Sequence, residues 1–75
     1  MYIDVLLSFY KRADNGYAPH FMIFEHNGAN IREIPFDCVE IAQSKEEAIR
    51  IARAHALKKL KEKYPSITQI RFREK

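Results

Sequence analysis

The stretch SKEEAIRIARAHALKKLKEKY, residues 44–64, is the strongest structural signal in this chain. Ser44 is a typical helix N-cap, and Glu47 completes a capping box in which each side chain bonds the other's backbone N–H. Pro65 follows directly and ends the helix. The sequence therefore predicts a helix of about 20 residues, roughly 30 Å long. Its apolar stripe recurs at steps of three and four residues: Ala48, Ile49, Ala52, Ala56, Leu60 and Tyr64.

The residues before the helix alternate in the manner of strands joined by tight turns. Residues 1–12 alternate along one strand, with Ile3, Val5, Leu7 and Phe9 pointing to the same side. Asn-Gly pairs at 15–16 and 27–28 are typical of hairpin turns. A second strand is expected from about residue 17 or 18 to residue 25 or 26.

Two prolines modify these strands. Pro19 predicts that the start of the second strand lies at a sheet edge, or that the strand begins just after it. The third strand is expected from about residue 30 to residue 42. Pro35 interrupts its alternation, which predicts a bulge or bend there, or two short strands.

After the helix, residues 67–73 predict a fourth strand that turns Thr68, Ile70 and Phe72 toward the core. The order is β-β-β-α-β, an α+β fold in which an antiparallel meander sheet is covered on one face by a single long helix. Residues 1–75 form one small domain. The last strand lies either beside the third strand or beside the first, where it is parallel and needs a right-handed crossover.

One helix covers only one face of a four-stranded sheet, so the second face is solvated or covered by another chain. Tyr2, Leu6 and Tyr10 are expected on that face. The second strand adds either His20, Met22, Phe24 and His26, or Phe21 and Ile23, depending on its register. Both registers leave large apolar groups outside the core, which is typical of an interface. The candidate interface consists of Tyr2, Leu6, Tyr10, Met22 and Phe24.

The charge of the chain is divided unevenly. Residues 1–43 carry three basic and six acidic side chains, and residues 44–75 carry ten basic and four acidic ones. A solvated basic helix face explains this division, and so does a surface for phosphate backbones. Tyr2 and Tyr10 beside arginines resemble a base-stacking sheet surface, although Asp4 on the same face opposes phosphate. The candidate nucleic-acid contacts are Arg50, Arg53, Lys58, Lys59, Lys61, Arg71 and Arg73.

No catalytic, cofactor or metal site is predicted. His20 and His26 are roughly 20 Å apart along one strand, too far to share a metal ion, and His55 belongs to the helix. The single cysteine, Cys38, excludes an internal disulfide and lies in an apolar run typical of a small core residue. No secretory signal and no stretch of ~20 apolar residues is present, so a cytoplasmic protein without a membrane partner is expected.

The β-β-β-α-β order, the turn DNGY at 14–17 and the helix start SKEEAI at 44–49 together resemble the amino-terminal domain of HicB-type antitoxins. Ala52 and Ala56 extend that likeness, which covers about residues 1–60. The family joins a dimerising domain of this shape to a DNA-binding tail and blocks an RNA-cleaving toxin. Its Pro-x-x-Pro-Gly-Cys-like segment has only PFDC at 35–38 as a counterpart here. The resemblance implies the shape and a tendency to pair.

A chain of 75 residues is near the lower limit for a stable core, and pairing is one way to add stability. The sequence therefore predicts a non-catalytic, bacterial or phage protein-binding domain that homodimerises through its open sheet face or an edge strand. One alternative is nucleic-acid binding through the basic helix, residues 50–63, or through the Tyr/Arg sheet face. Another is an antitoxin-like or phage-encoded inhibitor of a partner protein.

Overall fold

The computed structural model describes residues 1–75, in which one helix packs on a four-stranded sheet. The sheet has the strand order β3-β2-β1-β4, with β4 parallel to β1 and the other neighbours antiparallel. The predicted α+β architecture is confirmed, and the last strand lies beside the first. The elements are β1 (Tyr2–Lys11), β2 (Tyr17–Asn27), β3 (Asn30–Asp37), α1 (Lys45–Lys63) and β4 (Ile70–Glu74).

Helix α1 begins as its sequence predicts. The Ser44 hydroxyl accepts a hydrogen bond from the Glu47 N–H at 3.1 Å. The Glu47 carboxylate accepts from the Gln43 N–H at 3.2 Å instead of the Ser44 N–H. The Glu47 side chain therefore bonds the residue before the predicted one. The cap still provides acceptors for two backbone N–H groups that have no partner within the helix.

The end of α1 is tied to the sheet. The Tyr64 N–H donates to the Leu60 carbonyl oxygen at 2.8 Å, and Pro65 follows. The Tyr64 hydroxyl donates a hydrogen bond to the carboxylate of Glu25 near the end of β2. Burial and this bond to an acid both raise the pKa of Tyr64, so the phenol stays protonated and keeps donating.

The core lies between α1 and one face of the sheet. The predicted helix stripe is buried except for Ile49, which is half-buried. Its alanines, Ala48, Ala52 and Ala56, are fully buried, and their small size lets the helix axis lie close to the strands. The sheet side of the core is formed by Ile3, Val5, Leu7, Phe21 and Ile23. Phe21 and Ile23 therefore face the helix, which settles the register that the sequence left open.

Strand β3 contradicts the predicted break at Pro35. It runs without interruption from Asn30 to Asp37, with Pro35 paired opposite Met22, and it ends earlier than expected. Because the ladder alternates from the closing pair Asn27–Asn30, the Pro35 nitrogen points away from β2. β3 is an edge strand, so the missing N–H costs no ladder bond.

Of the two alternatives predicted for Pro19, the later start of the strand is wrong, whereas the edge position agrees with the structure locally, because β3 pairs with β2 only from His20 onward. Strand β2 begins two residues before it, at Tyr17, and lies inside the sheet, with Pro19 itself buried opposite Phe9. The Pro19 carbonyl oxygen accepts from the Cys38 N–H at 3.1 Å, so the Pro19 nitrogen faces the same side, just beyond the last residue of β3. The proline therefore occupies a place where the neighbouring strand has already ended.

The two predicted turns form by different means. Gly28 has a φ of 66° at the first of the two residues between β2 and β3, which a glycine adopts without strain. In the first hairpin it is Asn15 that has a positive φ, also 66°. Gly16 is needed there for space, since a Cβ atom would lie 2.8 Å from Ile41 Cγ2.

The last strand is shorter than predicted. It begins at Ile70 and not at residue 67, so Thr68 lies before it and is exposed instead of facing the core. Ile70 and Phe72 pack against the core from this strand, as expected. No helix of this chain combines the length and apolar character that crossing a bilayer requires.

Candidate functional site

The sheet face that α1 leaves uncovered, here called the open face, is the principal candidate site. Because side chains alternate along each strand, it carries the residues between those that face the helix. All five candidate interface residues lie on it, with Tyr2 and Tyr10 exposed and Leu6, Met22 and Phe24 half-buried. The open face also carries Asp4, Ser8, Ala18, His20, His26, Ile31, Glu33, Pro35, Asp37, Arg71 and Arg73.

A buried carboxylate lies at one end of this face. Asp4 is 4% exposed although no helix covers it. The Arg71 Nε donates to its Oδ1 at 3.0 Å, and His26 Nε2 lies 3.1 Å from its Oδ2. The Tyr2 ring stacks on His26 with ring centroids 4.2 Å apart. The hydrogen bond from Arg71 is the main reason that the pKa of Asp4 lies below its usual value, and burial opposes that shift.

A second set of the same residue types lies at the other end. His20 Nδ1 is 2.8 Å from Asp37 Oδ1, and the Tyr10 ring is tilted against His20 with centroids 5.2 Å apart. His20 is buried, whereas Asp37 is exposed. Each histidine is thus held between a tyrosine ring and a carboxylate, which fixes its orientation and occupies a ring nitrogen.

Sequence reasoning missed these two Tyr–His–Asp sets. It placed the tyrosines on this face and the histidines there in one of two registers, but it did not pair them. The missing information was the hairpin register, in which Tyr2 lies opposite His26 and Ser8 opposite His20. The two histidines belong to separate sets, and no three His, Cys, Asp or Glu side chains are placed to hold a metal ion.

Between the two sets lies an apolar centre. Leu6 of β1 is paired with Met22 of β2, and Phe24 is the next open-face residue along β2. Arg73 is paired with Leu6, and its guanidinium lies 5.7 Å from the centroid of the Phe24 ring. The arginine therefore extends across the apolar centre and shields part of it with its aliphatic stem.

Charge on the open face is separated by strand. The cations Arg71 and Arg73 belong to β4 at one edge, and the anions Glu33 and Asp37 belong to β3 at the other. Asp4 of β1 already pairs with Arg71. Lys75, directly after β4, adds a third cation, so the face carries three carboxylates and three cations. It is a poor surface for a phosphate backbone, which selects an excess of positive charge.

The candidate nucleic-acid contacts on α1 differ in whether they already form an ion pair. Arg50 lies 3.8 Å from Glu47, Arg53 lies 3.1 Å from Glu74, and Lys59 lies 3.7 Å from Glu62. Arg53 and Lys59 also lie over aromatic rings, those of Phe72 and Phe36. Two lysines remain, Lys58 and Lys61, which are exposed and have no carboxylate within ion-pair distance.

A small cavity of about 280 Å³ beside α1 contains the cysteine and a histidine. Cys38 and His55 both line it, but His55 Nε2 bonds the Glu40 carboxylate at 2.8 Å. Burial, together with the nearby charges of Glu40 and Asp37, raises the pKa of the Cys38 thiol to about 11. A nucleophilic cysteine needs a lowered pKa, so the arrangement opposes thiolate chemistry.

No protein-family model, curated protein or solved structure matches this chain. The resemblance to HicB-type antitoxins therefore stays a prediction, and function is argued from the open face itself.

Proposed function

We propose that this chain is a non-catalytic protein-binding domain whose partner is a second copy of itself, docked on the open face. The observation that carries the proposal is the apolar surface left in water there. Tyr2, Tyr10 and Ile31 are 44%, 56% and 59% exposed, around the half-buried pair Leu6 and Met22. Complete burial of a large apolar side chain contributes about 1.5–3 kcal/mol, and exposed patches of this kind usually mark an interface.

The alternative route, pairing through an edge strand, is less well supported. Backbone groups at residues 31, 33, 35 and 37 face outward from β3, and Pro35 has no N–H to offer. The opposite edge, β4, has only five residues, of which Arg71, Arg73 and Glu74 are charged. Short strands, charges and proline are the features that oppose edge-to-edge pairing.

Several features favour a second copy over an unrelated partner. The open face carries both signs of charge at opposite edges, so it can be complementary to itself. Strands of about eight residues and four strands at ~4.8 Å spacing give a face of roughly 25 by 19 Å. Two such faces bury on the order of 1,000 Å², the lower limit for a specific interface. The expected dimer is therefore one of modest affinity.

The test is self-association of variants, measured by sedimentation equilibrium. Leu6→Glu with Tyr10→Glu places two carboxylates in the paired faces and should convert the dimer to monomer while helical circular dichroism is retained. Leu57→Glu is the matched control, because Leu57 is an exposed apolar residue of α1 on the far side of the molecule. A dimer that survives the first variant, or that Leu57→Glu dissociates equally, would place the interface elsewhere.

Nucleic-acid binding through α1 is the second candidate, favoured by Lys58 and Lys61, the two candidate contacts on this helix that form no ion pair. Replacing both with Gln should weaken binding and reduce the slope of log affinity against log salt by up to about two. Replacing Lys59, which is paired with Glu62, is the control and should change the slope less. No detectable binding of the unmodified chain to single- or double-stranded probes at low salt removes this candidate.

A further inference from the structure

The separation of charge on the open face restricts how two copies can pack. Arg73 on β4 has no carboxylate within ion-pair distance, and Glu33 on β3 has no cation within that distance. Arg71 is bonded to Asp4, and Asp37 to His20. Arg73 and Glu33 are therefore unpaired at opposite edges of the sheet, and Lys75, which directly follows β4, adds a second unpaired cation at the Arg73 edge.

Two face-to-face arrangements with aligned strands have twofold symmetry. With the axis perpendicular to the strands, β4 lies over the partner's β4 and β3 over the partner's β3. Like charges then meet at both edges. With the axis along the strands, β4 lies over the partner's β3, and opposite charges meet at both edges. Like-charge contacts oppose association, so electrostatics favours the second arrangement.

The register of the sheet makes this contact specific. Arg73, Leu6, Met22 and Pro35 lie in one row across the four strands. Glu33 and Asp37 lie in the rows on either side of Pro35. An axis along the strands keeps each row opposite itself, so Arg73 faces the partner's Pro35. The partner's Glu33 and the partner's Asp37 then each lie about 7 Å along the strand from the position opposite Arg73, within reach of an arginine side chain.

On the premise that the open face pairs with a second copy, we propose that the twofold axis runs along the strands. Arg73 of each chain then lies between the partner's Glu33 and the partner's Asp37. Leu6 lies against the partner's Met22 at the centre, since β1 and β2 exchange places across the axis. The interface so formed has an apolar centre and a charged rim, the usual anatomy of a specific protein contact.

Charge reversal tests this arrangement, with dimer dissociation constants measured by sedimentation equilibrium. Glu33→Arg alone and Arg73→Glu alone each place like charges at two symmetry-related contacts. Each should weaken the dimer by on the order of tenfold. The double variant, Glu33→Arg with Arg73→Glu in one chain, restores an opposite-charge contact between positions 33 and 73 but leaves Asp37 unchanged, so it should bind more tightly than either single variant and recover only part of the lost affinity. Arg50→Glu on the outer side of α1 is the control and should leave the affinity unchanged.

The possible results separate the arrangement from the proposed function. Weakened single variants, with a double variant that binds more tightly than either of them, support the axis along the strands. A stable unmodified dimer that neither single reversal weakens overturns this arrangement. That result is expected when the axis is perpendicular to the strands, because β4 then lies over β4 and β3 over β3, and like charges meet before and after each change. An unmodified chain that remains monomeric overturns the proposed function and this inference together. Both changed residues are exposed, and circular dichroism of each variant establishes that the fold is retained.

Discussion

Asp4→Asn is the substitution that most sharply tests the electrostatics of the open face. The two side chains have nearly the same shape, so packing is preserved while the negative charge is removed. That charge accepts hydrogen bonds from Arg71 at 3.0 Å and from His26 at 3.1 Å, at a carboxylate that is 4% exposed. We expect the variant to fold and to unfold at a lower urea concentration.

The expected loss at pH 7 is about 1.5 kcal/mol. Hydrogen bonds to charged groups contribute about 1.5–3 kcal/mol, and the lower end applies because the Arg71 side chain is 70% exposed and water screens it. The amide oxygen of Asn can also keep part of the bond to Arg71. Domains of this length have a total stability of roughly 4–11 kcal/mol, so the loss is readily measurable.

The loss of stability in Asp4→Asn should depend on pH in a defined direction. Since the pKa of Asp4 is lowered in the folded state, its contribution is fully present above its unfolded value of about 3.9 and is lost as pH falls through the folded value. The difference between unmodified chain and variant should therefore shrink toward zero on acidification. Urea unfolding at several pH values and one protein concentration measures it. A difference that is absent at pH 7, or unchanged at pH 2, contradicts the assignment.

Asp14→Asn is the matched control. The pKa of Asp14 is also lowered, chiefly by its hydrogen bond from Arg12, but this pair is exposed. The Asn side chain can still accept from the Gly16 N–H that Asp14 Oδ1 binds at 3.2 Å. Its effect on stability should be much smaller than that of Asp4→Asn at the same pH.

Three further outcomes are expected. Ala52→Asp buries an unpaired carboxylate against the sheet and should unfold the domain in circular dichroism, whereas Ala54→Asp on the exposed side of α1 should not. Ser44→Ala removes the N-cap bond and should lower the free energy of unfolding by about 1 kcal/mol in urea titrations. With a pKa of about 11, Cys38 is only about 0.1% thiolate at pH 8 and should react with a thiol reagent far more slowly than a free cysteine.

The helix was predictable because its determinants are local. Ser44 fixes its start, Tyr64 with Pro65 fixes its end, and the alanine stripe fixes the buried side. The position of β4 was not predictable, because placing it beside β1 or beside β3 could bury Ile70 and Phe72 equally well by pattern alone. The predicted break at Pro35 was wrong for a related reason. A missing N–H costs no ladder bond only in an edge strand, and which strand lies at an edge depends on the assembled sheet.

The open face was predictable in composition and not in detail. Alternation along β1 assigned Tyr2, Leu6 and Tyr10 to it, and the structure agrees. The Tyr–His–Asp sets depend on which β2 residue lies opposite each β1 residue, and that register follows from a five-residue loop, residues 12–16. To predict the ion pair between Arg71 and Asp4, the position of β4 beside β1 had to be known as well. Contacts between strands depend on strand register and strand order, and the sequence pattern determined neither of them.

The mass of the unmodified chain in solution tests the proposed self-association most directly. Sedimentation equilibrium over a concentration range from micromolar to near-millimolar should show a reversible change from the 8.9 kDa chain to a species of about twice that mass. The midpoint is expected in the micromolar range, given the small area of the open face. A mass of 8.9 kDa that stays constant over the whole range contradicts pairing through the open face.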